Sequence, residues 1–140
     1  MDVITKSSEE TQRTGEDFAA SLKGGEILAL TGDLGSGKTT FLQGLAKGLG
    51  ITQRIVSPTF IISHEYPIND KTFFHIDLYR LEGDLRSEIK NLGLDDVWGK
   101  EENVVAIEWA EKITEYLPEK TIWISFEYLG DDERKIMIKK

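Results

Sequence analysis

The fold is decided by residues 27–40, ILALTGDLGSGKTT, where an apolar run passes directly into a glycine-rich loop. The run Ile27 to Leu30 lies between glycines, which is typical of a strand buried on both faces of a parallel sheet. Beyond the loop, apolar residues recur at helical spacing and Gly48 and Gly50 close the segment. These helical positions are Phe41, Leu42, Leu45, Ala46 and Leu49. The stretch therefore predicts a strand, a loop and a helix in direct succession.

The loop from Gly32 to Thr39 matches the phosphate-binding pattern G-x-x-x-x-G-K-[ST]. Its glycines let backbone N–H groups approach phosphate oxygens, and the N-terminus of the following helix adds partial positive charge. In such loops the lysine, here Lys38, reaches the β- and γ-phosphates, and the hydroxyl of Thr39 is a ligand of Mg²⁺. A glycine turn with a surface lysine is the simpler alternative, but the flanking strand and helix disfavour it. We therefore expect a nucleoside triphosphate to contact Leu34, Gly35, Ser36, Gly37, Lys38, Thr39 and, through its α-phosphate, Thr40.

Two acidic residues are candidates for the carboxylate that completes a magnesium site. Asp77 follows the apolar run 73–76 and Glu108 follows the apolar run 104–107, and P-loop proteins place this carboxylate at the end of a neighbouring strand. Periodicity does not choose between them: one could ligate the ion while the other binds through water or orients the attacking water. For each acid alone, a strand-end cap is the simpler interpretation. We interpret His75 as a core histidine, since nothing in the sequence marks a partner for it.

The remaining segments predict an α/β fold of the P-loop NTPase type. This is a three-layer sandwich whose mixed sheet is parallel at its centre and antiparallel at its flanks. Helices are expected from a capping box at Ser7–Glu10 to Gly24–Gly25, and at Ser87–Leu92, Leu94–Trp98 and Ala110–Tyr116. Further strands are expected at Val3–Thr5, at Thr59–Tyr66 and Thr72–Asp77 around a loop Pro67–Lys71, and in a hairpin of Thr121–Tyr128 with Lys135–Ile138.

Composition limits the class of protein. The 140 residues fit one domain, 1–140, and the net charge of −8 argues against autonomous binding of nucleic acid. Cysteine is absent, which excludes disulfides and thiolate metal sites. The N-terminal residues lack a basic and apolar leader, and no apolar run approaches the length of a membrane span. The sequence therefore predicts a cytoplasmic protein without a membrane association.

Four separated motifs in this order resemble the TsaE family, which is also called YjeE or YdiB. They are the loop 32–39, Ser57–Phe60, the segment His75–Leu81 and the segment Ile107–Glu111. The resemblance implies a bacterial ATPase that acts with two partners, TsaB and TsaD. Together they make N6-threonylcarbamoyladenosine (t6A) on tRNAs that read codons beginning with A. The ATPase does not transfer the threonylcarbamoyl group, and it meets tRNA only through its partners.

The resemblance also implies roles for the acidic residues. Thr39 and Glu108 match the residues that hold magnesium in the family, and Asp77 matches an aspartate needed for hydrolysis. Asp77 remains a second candidate ligand of the metal. The implied catalytic residues are Lys38, Asp77 and Glu108, with ATP and Mg²⁺ as cofactors.

Further nucleotide contacts follow from the resemblance alone. It implies that Ser8 lies near the base and that Trp109 lies beside the nucleotide. Ser57, Pro58 and Thr59 match a switch-like segment, in which Thr59 would sense the γ-phosphate. The sequence after residue 128 matches the family less well.

Two other functions stay open at this stage. A small P-loop phosphotransferase would pass the γ-phosphate to a metabolite, although no lid rich in arginine is evident. A nucleotide-switched binding module would use ATP only to change its affinity for partners, without required hydrolysis. No N-K-x-D motif for guanine occurs, and the preference for ATP over GTP rests on that alone.

Overall fold

The predicted strand, loop and helix of residues 27–40 are confirmed by a computed structural model that describes residues 1–33, 35–55, 63–83, 85–91 and 93–140. The strands are β1 Asp2–Thr5, β2 Ile27–Thr31, β3 Ser63–Ile68, β4 Lys71–Asp77, β5 Asn103–Glu108, β6 Ile122–Gly130 and β7 Glu133–Lys139. The helices are α1 Ser8–Ala19, α2 Lys38–Gly48, α3 Arg86–Asn91, α4 Leu94–Val97 and a 3₁₀ helix Ala110–Tyr116. Within these ranges, no helix has both the length and the apolar character needed to cross a bilayer.

The described strands form one seven-stranded sheet in the order β1-β7-β6-β2-β5-β4-β3. The four central strands are parallel, because β2 pairs in parallel with β5 and β6, and β4 pairs in parallel with β5. The outer pairs β1–β7, β6–β7 and β3–β4 are antiparallel. The predicted mixed sheet with a parallel centre is therefore confirmed.

Each face of the sheet carries its own apolar core. Leu28 and Leu30 of β2 point into a cluster with the buried side chains of α1 and α2. The alternate residues Ile27 and Ala29 point into a second cluster, formed with α3, α4 and the 3₁₀ helix. A strand buried on both faces explains why residues 27–30 are continuously apolar. Helices on both faces make the predicted three-layer sandwich.

Helices α1 and α2 pack so closely that glycine is required at their contact. A Cβ atom on Gly15 would lie 2.1 Å from the carbonyl oxygen of Phe41, and one on Gly44 would lie 1.8 Å from that of Gln12. Real Cβ atoms do not approach that closely, so a larger residue would push the helices apart. This contact fixes α2, and with it the loop that leads into α2, against the N-terminal helix.

Two predicted boundaries are wrong. Helix α1 begins as expected, with the N–H of Glu10 donating to the Ser7 hydroxyl. It ends at Ala19 rather than at Gly24, because the N–H groups of residues 20–22 donate to carbonyls three positions back and tighten the chain into a turn. The predicted loop 67–71 is mostly strand, and only a tight turn at residues 69–70 joins β3 to β4. Proline fits in β3 because this is an edge strand, where a missing N–H loses no ladder bond.

Candidate nucleotide site

The glycine-rich loop opens α2 with a left-handed residue. Gly37 precedes the helix at φ 105° and has no side chain to cap the first N–H groups. Gly32 and Gly35 also have positive φ, at 140° and 79°, and a Cβ on Gly32 would lie 2.6 Å from the Phe126 carbonyl. Uncapped N–H groups at the start of an eleven-residue helix form a site that attracts anions. The loop therefore has the backbone geometry of a phosphate cradle.

Lys38 is buried beside this cradle. Its ammonium donates to the Gly32 carbonyl at 2.6 Å and lies 4.0 Å from the centre of the Trp109 ring. Burial lowers the pKa of Lys38, and nearby carboxylates, with Glu108 foremost, oppose that shift. A buried cation held by one carbonyl and one aromatic face is available for stronger, anionic partners.

Asp77 and Glu108 end neighbouring parallel strands at the same level of the sheet. They are direct partners in the register of β4 with β5, and Glu108 also pairs with Leu30 of β2, just before the loop. Side chains two or four positions apart on a strand share a face, and Phe73 and Ala106 belong to the core beneath α1 and α2. Asp77 and Glu108 therefore lie on the face that α2 covers. The two acids that the sequence singled out are thus brought together at the loop.

The two carboxylates have different environments. Asp77 is half-buried, and its Oδ1 accepts a hydrogen bond of 2.9 Å from the N–H of Tyr79. Burial raises the pKa of Asp77, which the Tyr79 hydrogen bond opposes and the neighbouring charge of Glu108 reinforces. A carboxylate with a raised pKa binds a proton more readily and is better suited to act as a base near neutral pH.

Glu108 is buried and is held by a histidine. Its Oε2 lies 2.6 Å from Nε2 of His75, whose side chain is 0% exposed. The interpretation of His75 as a core residue is confirmed, and the structure supplies the partner that nothing in the sequence marks. The partner lies 33 positions away on the next strand, and only the pairing of β4 with β5 shows it.

Trp109 and Lys112 follow Glu108 and bind the segment after Asp77. Trp109 has φ 60°, a rare value for a bulky residue, and its ring lies 5.1 Å from that of Tyr79. Lys112 donates to the carbonyls of Leu78, Tyr79 and Leu81 at 3.1, 2.8 and 2.7 Å. Sequence reasoning missed Lys112, because a lysine in a short polar helix has the pattern of an ordinary solvated face.

The remaining predicted contacts divide into three groups. Thr39 and Thr40 occupy the second and third positions of α2, and the Ser36 hydroxyl is buried without a hydrogen-bond partner among the described residues. Ser8 is the first residue of α1. This helix lies close to the loop, since a Cβ atom added to Gly37 would be 3.6 Å from the Thr11 side chain. Outside the described residues lie Leu34, Ser57, Pro58 and Thr59.

The side chains around the phosphate loop suit a nucleotide with bound Mg²⁺. The described residues hold no cluster of three or more His, Cys, Asp or Glu side chains that would cage a metal by themselves. Mg²⁺ is usually held by one or two carboxylates together with substrate phosphates and water, so two acids beside a phosphate cradle suit it. The buried Ser36 hydroxyl and the ammonium of Lys38 supply further groups that an anion would engage.

A comparison with known families decides the relationship of the chain. A family model described as threonylcarbamoyl adenosine biosynthesis protein TsaE matches residues 5–136. The chain belongs to the TsaE family. The match includes the loop, Asp77 and Glu108, and it confirms the resemblance found in the sequence motifs.

Individual TsaE relatives match over nearly the whole chain. The tRNA threonylcarbamoyladenosine biosynthesis protein TsaE of Bacillus subtilis is 44% identical over 132 residues, which cover 94% of this chain and 80% of the relative. The protein of the same name from Treponema pallidum is 37% identical over 139 residues, covering 99% of each. The crystal structure of Bacillus subtilis YdiB superposes with a TM-score of 0.78 at 38% identity, covering 97% of this chain and 82% of that one. The fold agrees with that TsaE structure.

Proposed function

We propose that this chain binds ATP with Mg²⁺ and hydrolyses it, and that the hydrolysis serves t6A formation in tRNA together with TsaB and TsaD. The observation that carries the proposal is the meeting of Lys38, Asp77 and Glu108 at the phosphate loop. The relatives bear the name of a tRNA threonylcarbamoyladenosine biosynthesis protein, which supports the pathway. The two partners are proposed from the family resemblance.

The loop would bind the polyphosphate through its backbone. The N–H groups between Gly35 and Thr39 donate to phosphate oxygens, and the dipole of α2 favours the negative charge. The ammonium of Lys38 leaves the Gly32 carbonyl and pairs with the β- and γ-phosphates, since a charge-assisted bond is stronger than one to a neutral carbonyl. The Trp109 ring covers one side of the ammonium.

The acids would divide the remaining work. Thr39 and Glu108 hold the metal, and Asp77 orients the attacking water and accepts its proton, which the raised pKa of Asp77 favours. When bound, Mg²⁺ neutralises the charge that develops on the β- and γ-phosphates. Glu108 suits the ligand role because it pairs with Leu30 of β2, just before the loop that leads to Thr39.

The charge of the protein supports an indirect role with RNA. A net charge of −8 repels a phosphate backbone, so the chain would act on tRNA through partner proteins and not by binding it alone. We expect the protein to work in the cytoplasm, where these partners and tRNA meet.

Release of inorganic phosphate from ATP tests the proposal directly. We expect slow, Mg²⁺-dependent release by the chain alone and faster release when TsaB, TsaD and tRNA are added. A phosphotransferase would instead stay slow until a metabolite acceptor arrives. The absence of phosphate release under every one of these conditions would exclude the ATPase.

A second arm separates the ATPase from a nucleotide switch. The Glu108→Gln variant keeps the loop and Lys38, so it should still bind ATP while hydrolysing it poorly. If that variant supports multiple turnovers of tRNA modification at the wild-type rate, hydrolysis is not required and the switch is the better account. We expect modification by the variant to stop after the first turnover.

A further inference from the structure

His75 forms a buried contact with the acid at the centre of the proposed site. Its side chain is 0% exposed, and its Nε2 lies 2.6 Å from Oε2 of Glu108, whose side chain is 4% exposed. The two residues belong to β4 and β5, neighbouring strands in the parallel centre of the sheet. The contact is therefore shielded from water and anchored on rigid elements.

Hydrogen-bond chemistry indicates which atom donates. An ionised carboxylate can only accept, so the proton of this bond lies on His75 Nε2. The other ring nitrogen, Nδ1, is buried and has no hydrogen-bond partner among the described residues. A proton on Nδ1 would be an unpaired buried donor, which is unfavourable, whereas an unprotonated Nδ1 leaves only a weakly unsatisfied acceptor.

A single bond of this kind restricts the glutamate. The side chain of Glu108 has three rotatable bonds, and its orientation decides whether an oxygen is directed to the phosphate loop. The bond to Nε2 holds Oε2 in place and so restricts the rotation of the carboxylate. Removing a residue that orients a metal ligand in this way typically weakens metal binding about 10- to 100-fold.

We propose that His75 is a positioning residue, whose Nε2–H holds the Glu108 carboxylate in the orientation that binds the metal at the phosphate loop. This inference rests on the proposed Mg²⁺-ATP site. It assigns a role to a histidine that is otherwise a buried core residue. Among the described residues, Glu108 is the hydrogen-bond partner of the His75 side chain.

Two amide variants separate positioning from packing. In His75→Gln the amide nitrogen can take the place of Nε2 and donate to Glu108, whereas in His75→Asn it lies near the place of Nδ1 and falls short. Both variants put a neutral amide into the same buried space. A purely structural histidine would respond similarly to both, and a positioning histidine would be rescued by glutamine alone.

Affinity for Mn²⁺ in the presence of ATP is the main measurement, made by electron paramagnetic resonance. We expect His75→Gln to stay close to wild type and His75→Asn to bind Mn²⁺ about 10- to 100-fold more weakly, the usual loss for a residue that orients a metal ligand. The affinity for ATP without metal should be the same in both, because the loop is untouched. The turnover number should fall with Mn²⁺ affinity while the KM for ATP changes little.

Nitrogen-15 spectra of the nucleotide-free wild-type protein provide a readout that needs neither metal nor a variant of His75. The chain has two histidines, so His64→Gln assigns the imidazole signals. We expect a proton on Nε2 of His75 and a changed Nε2 signal in Glu108→Gln. A proton on Nδ1 alone, or equal Mn²⁺ affinities in the two amide variants, would overturn the role of His75 only. A wild-type protein that binds neither Mn²⁺ nor ATP would overturn the proposed function, and this inference with it.

Discussion

Asp77 and Glu108 are direct neighbours across the parallel strands β4 and β5, at the edge of the sheet where β2 enters the phosphate loop. The carboxyl ends of parallel strands are the usual place for ligands in open α/β sheets. Two acids side by side would repel each other unless a cation lies between or beside them. Lys38 supplies part of that charge in the protein alone, and a metal would supply the rest.

Replacing Glu108 should separate metal binding from nucleotide binding. In Glu108→Gln we expect the kcat for ATP hydrolysis to fall at least about 100-fold, the scale seen when a group that stabilises transition-state charge is removed. The affinity for metal-free ATP should change little. The matched control is Glu111→Gln, which removes an exposed acid that also acts on Lys38. If both variants lose activity equally, hydrolysis depends on the total negative charge near Lys38 and not on the position of Glu108.

Replacing Lys38 should weaken the nucleotide complex without unfolding the protein. We expect Lys38→Met to bind ATP about 10- to 100-fold more weakly, as follows from losing one charge-assisted hydrogen bond. Burial lowers the pKa of Lys38, so its positive charge costs more free energy in the fold than in the unfolded chain, and methionine should preserve or increase stability at neutral pH. Calorimetric titration and urea unfolding measure the two effects. Lys47→Met, on the exposed side of the same helix, should bind ATP normally.

Asp77 makes the stability of the fold depend on pH. Its pKa is raised from 3.8 by burial, so its contribution to stability is present below pH 3.8 and is lost as pH rises through the raised pKa. Asp77→Asn should therefore be more stable than wild type at pH 7, with the difference vanishing toward pH 3.8. The same variant should hydrolyse ATP very slowly.

Urea unfolding of Asp77→Asn and of wild type between pH 4 and pH 8 measures that difference in stability, which should grow as the pH rises. Asp95→Asn, an exposed aspartate of α4, is the control and should follow wild type throughout. An Asp77→Asn variant that is less stable than wild type at neutral pH would mean that the carboxylate stabilises the fold, contrary to its burial-dominated pKa.

Lys112 should position the segment that follows Asp77. Its ammonium binds three backbone carbonyls between Leu78 and Leu81, so Lys112→Met should lower the free energy of unfolding by about 1.5 to 3 kcal/mol, the value of a hydrogen bond to a charged group. Hydrolysis should fall more than ATP affinity, because the Tyr79 N–H that binds Asp77 loses its anchor. The control is Lys120→Met, which removes an exposed lysine outside the site. Equal behaviour of the two variants would remove Lys112 from the site.

The parts of the site that were predictable from sequence are those set by local patterns. The loop, Lys38 and the two strand-end acids follow from residue type and spacing within short segments, and so does the apolar strand before the loop. The order of the strands, and hence the direct pairing of Asp77 with Glu108, depends on contacts between distant segments. The bonds of His75 to Glu108 and of Lys112 to Leu78 join residues 33 and 34 positions apart, and no local pattern marks them.

Calorimetric titration with ATP, in the presence and absence of Mg²⁺, tests the central claim most directly. We predict saturable binding of one nucleotide per chain that Mg²⁺ strengthens in the wild-type protein and does not strengthen in Glu108→Gln. An absence of binding at millimolar Mg²⁺-ATP would contradict the phosphate cradle itself. Binding that is equally strong with and without Mg²⁺ in both proteins would contradict the assignment of Glu108 to the metal.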